Sequence, residues 1–579
     1  MRHLHALAFL GIVGFTASAC VEIVATSSNP LPPLTASSGA GGEGGGQGGA
    51  AGAAGAAGGG GAGGSGSGGG CDAAPAVIVQ QGEAGRILLR GVVVTPEQVF
   101  DGEVLIAGTT LACVAASCAA DPNAEGASIV DTKGILLPGL IDTHNHILFD
   151  IFDEDDWYPT QTYPNHNEWP DDEKYKALVD AKQYLNGEIP ESLFDLGCEL
   201  NKYGELKGLV AGTTSIIGSL GAAEKSCYGS LSRTIDQSPN DLPEDKVQTA
   251  TRFPTNASAD GVCTNFDNDA TDAFLIHVGE GVDAEALDEF TDLGTVTTTD
   301  GCLYAPETTI IHGTAFGEDQ FTIMANNGMS LSWSPRSNVF LYGGGVDLGK
   351  TTNIPLARAK GINVALSPDW SIGGSQNLLD ELRFADQVDN TEWGDILTPK
   401  DLTEMVTINA AKALGLGDVL GSLTAGKKAD VLVITGDTRA PHEALLAATP
   451  ADVRLVIVNG VPLYGDDELQ ALGPASPGCE SLPVCCADKF LCVAEAGGDA
   501  TNKLGQTFAE INQTLSAGLE AYDAMCCLAG ACYPDSCCDG AMNDGETGVD
   551  CGGPCDTCPF DVDLEQWVFS PLAPLVKCP

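Results

Sequence analysis

The hydrophobic residues of this chain follow two different patterns along its length. Short apolar runs typical of strands, separated by Gly and Asp-Gly breaks, begin near Ala76, and similar runs return between residues 427 and 467. Between these blocks, β-branched runs alternate with helix-like stretches such as DEKYKALVDAKQYL. The alternation predicts an α/β fold with a (β/α)8 barrel, and the flanking blocks predict one split β-sandwich closed by strands from both ends of the chain.

These patterns divide the chain into six segments. In chain order we predict a signal peptide (1–19), a Gly/Ala/Ser-rich linker (20–75), the first part of the β-sandwich (76–137), the metal-binding barrel (138–417), the second part of the β-sandwich (418–472) and a Cys-rich tail (473–579). The linker has too little apolar surface to fold, so we expect a disordered tether. A chain of 579 residues also exceeds one ordinary core.

The N-terminus has the pattern of a secretory signal. Arg2 precedes an apolar run from Leu7 to Phe15, which is too short to span a bilayer, and small residues follow up to Cys20. These small residues resemble a bacterial lipobox, with Ala17 where leucine is usual; the alternative is a cleaved signal followed by an ordinary cysteine. We expect an exported protein of the bacterial cell envelope, facing the periplasm or the cell surface and attached to the membrane through lipid on Cys20.

Composition supports export and restricts the partners. Setting Cys20 aside leaves 20 cysteines, an even number that suits disulfides in an oxidising compartment. Cys113 and Cys118 are spaced for a local disulfide, and 13 cysteines lie after residue 473; zinc binding is the alternative for the pair within 555–558. The net charge of −52 repels nucleic acid and anionic lipid, so the expected partner is a small-molecule substrate. The oligomeric state does not follow from the sequence.

Two histidines end the stretch GILLPGLIDTHNH (134–146). Residues two apart in a strand face the same side, so His144 and His146 can bind one metal ion. The alternative is a strand end with two exposed histidines.

Other strand ends carry similar groups. His277 ends AFLIH, His312 ends TTIIH and Asp369 ends INVALSPD, while Glu280 follows His277 by three residues in HVGE. Active-site groups of a barrel lie at the C-terminal ends of its strands, so we expect these residues to meet near His144. Taken singly, His277 has the alternative of a core histidine with satisfied hydrogen bonds.

These motifs resemble a known family. PGLIDTHNH, HVGE, IIHGT, the SPD strand end and the closing GSLTAGKKADVLVI, spread over about residues 86–466, are similar to the metal-dependent amidohydrolase superfamily. The similarity is greatest to its mononuclear branch, which includes cytosine, guanine and S-adenosylhomocysteine deaminases and triazine hydrolases. The resemblance implies one divalent metal ion, with zinc expected and iron as the alternative.

The resemblance also implies roles for individual residues. Glu280 would shuttle a proton between the attacking water and the leaving group or ring nitrogen. His312 would orient or stabilise the attacked centre, and Asp369 would take a proton from the metal-bound water. The implied metal ligands are His144, His146, His277 and Asp369.

One departure favours a single metal ion. The dinuclear branch of the superfamily bridges two metals with a carboxylated lysine at the end of the fourth barrel strand. We assign VAGTTSIIGS (210–219) to that strand; it contains no lysine, although Lys207 precedes it and Lys225 follows it. A hydrolytic deaminase or ring hydrolase is therefore favoured over a two-metal peptidase or lactonase.

A long loop after His146 carries aromatic groups that could stack on a planar substrate or pack on one another at the surface. These residues are Trp157, Tyr158, Tyr163, His166 and Trp169. The segment PRSN (335–338) resembles the deaminase branch, where Arg and Asn shape the pocket, whereas Trp370 departs from that branch. His442 is expected at the surface of the β-domain.

The predicted function is metal-dependent hydrolysis of a carbon–nitrogen bond other than a peptide bond. The specific prediction is hydrolytic deamination of a heterocycle by metal-activated water. Two alternatives stay open: a cyclic amide hydrolase resembling imidazolonepropionase, and a catalytically inactive surface-binding protein with the same fold.

Overall fold

The computed structural model describes residues 73–523 and 573–577, apart from 190, 191, 193, 221–224, 238, 239, 243–245 and 500. The predicted signal peptide, the lipidation site at Cys20, nearly all of the linker and about half of the Cys-rich tail lie outside the described residues. No helix in the described part of the chain is long and apolar enough to cross a bilayer.

The first five strands form one half of a β-domain. They are β1 (Val77–Gln80), β2 (Arg86–Val94), β3 (Val99–Ala107), β4 (Thr110–Ala115) and β5 (Ser128–Pro138). The hairpin of β2 and β3 is antiparallel, whereas β5 runs parallel to β2. Gly91 allows this close approach, because a Cβ there would lie 2.6 Å from the carbonyl oxygen of Gly134. The predicted disulfide between Cys113 and Cys118 is present.

Eight short parallel strands follow. They are β6 (Leu140–Asp142), β7 (Thr213–Ile216), β8 (Arg233–Thr234), β9 (Val247–Ala250), β10 (Ala273–Val278), β11 (Thr308–His312), β12 (Ser330–Trp333) and β13 (Asn363–Leu366). Strands β6–β8 and β9–β13 pair as two parallel groups. A parallel bridge between Asn145 and Asp369 joins the first group to the second, and Thr249 donates to Asp236 (3.2 Å) across the other gap. The strands therefore close into the predicted (β/α)8 barrel.

One strand assignment from the sequence was wrong. VAGTTSIIGS contains β7, which is the second barrel strand, and the fourth is β9. The error arose because β8 and β9 are short and read RT and VQTA, so they lack an apolar run. Strand β9 also contains no lysine, and Lys246 precedes it at the end away from the histidines. The argument for a single metal ion therefore applies to the correct strand as well.

Helices surround the barrel and cover its ends. Those of the described residues are α1 (Glu173–Asn186), α2 (Gly197–Leu209), α3 (Asn256–Asp267), α4 (Ala284–Leu293), α5 (Glu318–Asn326), α6 (Pro335–Tyr342), α7 (Ile354–Ala359), α8 (Leu378–Val388), α9 (Pro399–Met405), α10 (Ile408–Ala413), α11 (Pro441–Ala447) and α12 (Phe508–Asp523). Local sequence sets their starts: the Asp172 carboxylate, for example, accepts from the amide of Lys174 (2.9 Å) at the first turn of α1.

The last five strands complete the β-domain. They are β14 (Val431–Ile434), β15 (Val453–Val458), β16 (Val461–Asp466), β17 (Glu480–Val484) and β18 (Ala487–Leu491). Strand β14 pairs with β5, so both ends of the chain share one ten-stranded sheet. Leu89 and Val104 lie in the same core cluster as Val433 and Phe490, which agrees with the predicted split β-sandwich.

The β-domain extends past residue 472, where the sequence placed the start of the tail. Strands β17 and β18 lie beyond that residue and add to the sheet through β16. A disulfide between Cys479 and Cys492 joins the two ends of this hairpin. Two of the cysteines that suggested a separate tail thus staple part of the β-domain. Two further disulfides, Cys198–Cys227 and Cys263–Cys302, tie helices α2 and α3 to loops of the barrel.

Candidate metal centre and active site

The turn after β6 fixes the first pair of histidines. The buried Asp142 carboxylate accepts from the His144 amide (3.0 Å) and from Asn145 Nδ2 (3.0 Å), so the chain bends at the strand end. The side chain of His144 is fully buried, whereas that of His146 is 25% exposed. Both rings lie at the C-terminal end of the barrel.

Asp369 meets this turn from the last barrel strand. Its amide donates to the His144 carbonyl (3.1 Å), and its carbonyl accepts from the His146 amide (2.6 Å). These bonds hold Asp369 at φ 71°, a left-handed conformation that costs a non-glycine residue about 1–3 kcal/mol. Asp369 Oδ1 then lies 2.8 Å from His144 Nε2 and 3.5 Å from His146 Nε2, while Oδ2 accepts from Ser337 Oγ.

His277 supplies the third imidazole. Its Nδ1 lies 3.2 Å from the Ala250 carbonyl, which can only accept, so Nδ1 carries the proton and Nε2 keeps its lone pair. Nε2 is buried and has no hydrogen-bond partner among the described residues. One ligand atom from each of His144, His146 and His277 lies within 4.8 Å of the others, and the same holds for His144, His312 and Asp369. Converging lone pairs without donors fit a divalent cation.

Electrostatics favour the neutral imidazoles that a metal ion needs. Burial lowers the pKa of His144 and of His277 well below the usual range, and neighbouring histidines lower it further. Burial, followed by the charge of His144, lowers the pKa of His146 to about 4. At neutral pH all three rings are therefore neutral imidazoles, each with a lone pair on one nitrogen.

Glu280 lies beside these rings, three residues after His277. Its Oε1 accepts from the Tyr342 hydroxyl (2.9 Å), and its Oε2 lies 3.0 Å from His166 Nδ1. Burial acts to raise the pKa of Glu280, but the electrostatic interaction with His312 and the hydrogen bond and charge of His166 outweigh it and hold the pKa well below the usual range. Glu280 is therefore a buried, ionised carboxylate.

His312 points its second nitrogen at the same carboxylate. Asn338 Nδ2 donates to His312 Nδ1 (3.1 Å), which assigns the proton of the neutral ring to Nε2. That Nε2 lies 3.7 Å from Glu280 Oε2. Thr351 in turn donates to Asn338 Oδ1 (3.1 Å) and fixes the orientation of the amide. His312 thus presents a hydrogen-bond donor to the centre of the site.

The six residues singled out from the sequence meet within this one site, and part of the aromatic loop packs beside them. Trp157 and Trp169 contact Trp370, with ring centroids 6.1 and 5.3 Å away. The Trp370 ring lies 6.0 Å from that of His146. Neither of these tryptophans belongs to a surface loop packed only on itself, and both line the side of the site nearest His146.

The other aromatic residues of the loop have separate contacts. Tyr163 donates to the Asp172 carboxylate (2.9 Å), and Tyr158, which is 49% exposed, donates to the Gly344 carbonyl (3.1 Å). His166 contacts Glu280, as described above. The indole rings of the loop therefore form an aromatic wall on one side of the site. The other aromatic residues of the loop are held by hydrogen bonds.

Several predicted or neighbouring residues lie elsewhere. Arg336 of the PRSN segment pairs with Glu154 (3.2 Å) rather than with the site. His442 is half-buried on α11 and bonds Thr403 (3.1 Å), so it is less exposed than an ordinary surface residue. Packing of the apolar side of α11 directs the His442 ring towards α9, and the sequence did not indicate this contact.

Lysines near the strand first assigned as the fourth have other partners. Lys207 is buried in α2 and donates to Gln376 (2.9 Å), and Lys225 pairs with Asp195 (2.6 Å).

Sequence reasoning missed four contributors to the site. Ser337 lies within PRSN and Tyr342 lies four residues after it, both on α6, and a helix following a strand end was the available signal. Glu289 on α4 and Tyr175 on α1 gave none, because their roles depend on packing between distant elements. Tyr175 lies 5.7 Å from Trp370, and the charges of Asp369 and Glu280 add to the effect of burial in raising its pKa.

Comparison with known proteins gives consistent matches. Residues 273–463 match the model of the Amidohydrolase family, a region that includes His277, Glu280, His312 and Asp369. The 5-methylthioadenosine/S-adenosylhomocysteine deaminase of Symbiobacterium thermophilum is 26% identical over 389 residues, which cover 60% of this chain and 85% of that protein. The 5'-deoxyadenosine deaminase of Methanothermobacter thermautotrophicus is 27% identical over 424 residues, 64% of this chain and 91% of that protein.

A solved structure supports the fold. The atrazine chlorohydrolase of Arthrobacter aurescens TC1, solved with zinc, superposes with a TM-score of 0.50 at 18% identity. The alignment covers 67% of this chain and 96% of that chain.

Proposed function

Because the chain carries an amidohydrolase-family domain, as its motifs predicted, we propose that it is a metal-dependent hydrolase that deaminates a heterocycle. One observation carries this conclusion: three neutral imidazoles, two of them buried and one partly exposed, lie together with a carboxylate beside the Glu280–His312 pair. The site could hold one divalent ion on His144, His146, His277 and Asp369. When bound, such an ion supplies a Lewis acid and lowers the pKa of a bound water.

The residues of the chain provide the remaining chemistry. Asp369 Oδ1 lies between the two histidines of β6 and is placed to accept a proton from water. The ionised Glu280 is placed to take one proton from the attacking water and pass it to the ring nitrogen, and the proton accepted by Asp369 then goes to the leaving amine. His312 Nε2 donates to the atom on which negative charge develops. The water oxygen forms the new C–O bond, the C–N bond breaks and the amine leaves as ammonia.

The proposed metal is zinc. Three imidazoles and one carboxylate are the donor set that zinc and iron share, and zinc occupies the solved atrazine chlorohydrolase. Elemental analysis of protein purified from metal-supplemented medium tests this proposal. One zinc per chain is expected, and stoichiometric iron would contradict it.

Purines are the first substrates to test. The two relatives named above are deaminases of adenine-containing compounds. Ammonia release would be measured on purine bases and nucleosides, pyrimidines, pterins and triazines, with the Glu280→Gln variant as a matched control. Activity that this variant lacks would support the proposal. No turnover on any of them, with hydrolysis of cyclic amides instead, would favour the imidazolonepropionase-like alternative.

We further propose that the protein is exported and lipid-anchored through Cys20, on the evidence of the signal pattern and of the disulfides among the described residues. Expression of the full chain and of Cys20→Ser in a bacterial host, followed by membrane fractionation, tests the anchor. The wild type should sediment with membranes and the variant should not. Equal distributions would refute lipidation.

A further inference from the structure

His166 is fixed to the backbone on which Glu280 lies. Its loop leaves the barrel after β6 and returns to pair with the segment that follows β10. The Val282 amide donates to the Pro164 carbonyl (2.7 Å), Asn165 and Gly281 form an antiparallel bridge, and the His166 amide donates to the Glu280 carbonyl (3.0 Å). These main-chain contacts therefore tie the two segments together.

The His166 ring lies between two carboxylates. Nδ1 is 3.0 Å from Glu280 Oε2 and Nε2 is 2.5 Å from Glu289 Oε1. Ionised carboxylates only accept hydrogen bonds, and a neutral imidazole has only one N–H, so both contacts are satisfied together by the imidazolium. Burial acts to lower the pKa of His166, but its bonds to Glu280 and Glu289 raise the pKa to about 10.

Glu289 is itself immobilised. Its second oxygen accepts from the Gly279 amide (2.9 Å), one residue before Glu280. The loop side adds two acidic neighbours, because Asn165 Nδ2 bonds Asp283 (2.9 Å) and Asn167 Nδ2 bonds Glu285 (3.3 Å). Among the described residues, the charged groups in contact with His166 are Glu280 after β10 and Glu289 on α4, and both are acidic.

Glu280 depends on this arrangement for its orientation. Its two oxygens are held separately, Oε1 by the Tyr342 hydroxyl and Oε2 by His166. A carboxylate held at both oxygens has little freedom to rotate, and it lies close to His312 and His277. A misplacement of about 1 Å at a reacting group can lower a rate by about 100-fold, so this restraint matters for catalysis.

We propose that His166, clamped by Glu289, is a positioning residue that fixes the carboxylate of Glu280 for proton transfer. This inference rests on the proposed deaminase function, because it assumes that Glu280 transfers a proton. It also gives the long loop after β6 a function, because the loop supplies both the His166 imidazolium and the aromatic wall to the active site.

Two variants separate positioning from a merely structural salt bridge. His166→Asn keeps an N–H near the position of Nδ1, which faces Glu280, and loses the contact with Glu289. His166→Gln keeps an N–H near the position of Nε2, which faces Glu289, and loses the contact with Glu280. A structural ion pair predicts that the two variants are equally impaired. Positioning predicts that kcat falls by about 10- to 100-fold in His166→Gln and His166→Ala with little change in KM, whereas His166→Asn retains most of kcat.

The measurement uses the metal-loaded full chain and the substrate that the ammonia screen identifies. Metal content and the thermal midpoint are recorded for every variant, and metal should stay at the wild-type level because His166 contacts none of the proposed ligands. Equal kcat values for His166→Asn and His166→Gln, or a loss of metal that accounts for the loss of activity, would overturn the inference. A wild type without turnover on any heterocycle would instead overturn the proposed function, and this inference with it. The Glu280→Gln variant distinguishes failure of the proposed function from failure of this inference, because it shows whether the measured turnover depends on Glu280 at all.

Discussion

His144 and Asp369, which are 225 positions apart in the sequence, make contact through both main chain and side chain: the Asp369 amide donates to the His144 carbonyl (3.1 Å), and Asp369 Oδ1 lies 2.8 Å from His144 Nε2. The bond that closes the barrel between its first and last strands therefore also assembles half of the proposed metal site. Barrel closure and metal binding should be coupled.

Metal removal should lower stability together with activity. A ligand that binds only the folded state stabilises it by about 2.7 kcal/mol at 100 times its Kd. We expect a chelator to lower the thermal midpoint and abolish turnover, with both restored by zinc. His277→Ala should lose the metal ion, whereas His442→Ala, which removes a histidine outside the site, should retain it. An unchanged midpoint after verified metal removal would contradict the coupling.

Ser337 should matter through Asp369. Its hydroxyl donates to Asp369 Oδ2 and so leaves Oδ1 facing His144 and His146. We expect Ser337→Ala to keep the metal ion and to lower kcat by about tenfold, the usual cost of one hydrogen bond of about 1.4 kcal/mol. Asp369→Asn should abolish turnover and weaken metal binding. Full activity in Asp369→Asn would remove Asp369 from the mechanism.

Asn338 should control which nitrogen of His312 carries the proton. Asn338→Leu removes the donor that faces Nδ1, so the tautomer with the proton on Nε2 is no longer enforced and Nε2 donates less into the site. We expect a loss of about tenfold in kcat, the effect of one hydrogen bond of about 1.4 kcal/mol. Thr351→Val, which removes only the support of the amide, should cost much less. Steady-state kinetics with the identified substrate measures both.

The ion pairs of His166 should appear in the pH dependence of stability. Its pKa is raised from about 6.5 in the unfolded chain to about 10 in the folded state, so the folded state binds the extra proton between these values. The stabilisation is therefore complete below about pH 6.5 and is lost as the pH rises towards 10, with a total on the order of 3–5 kcal/mol. Denaturant unfolding at pH 6, 8 and 10 measures this slope. It should be much shallower in His166→Asn, and an equally steep slope there would assign the effect to other groups.

The last described residues of the chain should stabilise the loop after β6. The Ala573 amide donates to the Ile151 carbonyl (3.0 Å), and Lys577 Nζ lies 2.8 Å from Asp153 Oδ2. Ser371, which follows Trp370, donates to the Phe152 carbonyl (2.6 Å). Removal of residues 573–579 should therefore speed proteolysis between residues 150 and 172, with Lys577→Ala giving a smaller effect. Identical cleavage rates would show that this segment does not restrain the loop.

The sequence allowed much of the fold to be predicted. Strand-like blocks at both ends and alternating strands and helices between them indicated a split β-domain around a barrel. The prediction failed for β8 and β9, whose polar residues carry no apolar run, and for β17 and β18, whose cysteines suggested a separate tail. Sequence patterns report which face of an element is apolar, and they fail where a strand is held mainly by its neighbours.

The candidate site divides in the same way. The sequence by itself determined that His144, His146, His277, His312, Glu280 and Asp369 end barrel strands or directly follow them, because local strand patterns mark those ends. Only the tertiary structure decided that Tyr342, Glu289 and His166 orient Glu280 and that Asn338 orients His312. Those contacts join residues on different elements, and they exist only when packing brings the elements within hydrogen-bonding distance. The sequence identifies which residues carry the chemistry of the site, whereas neighbouring residues that folding brings close set the orientation and protonation of their side chains.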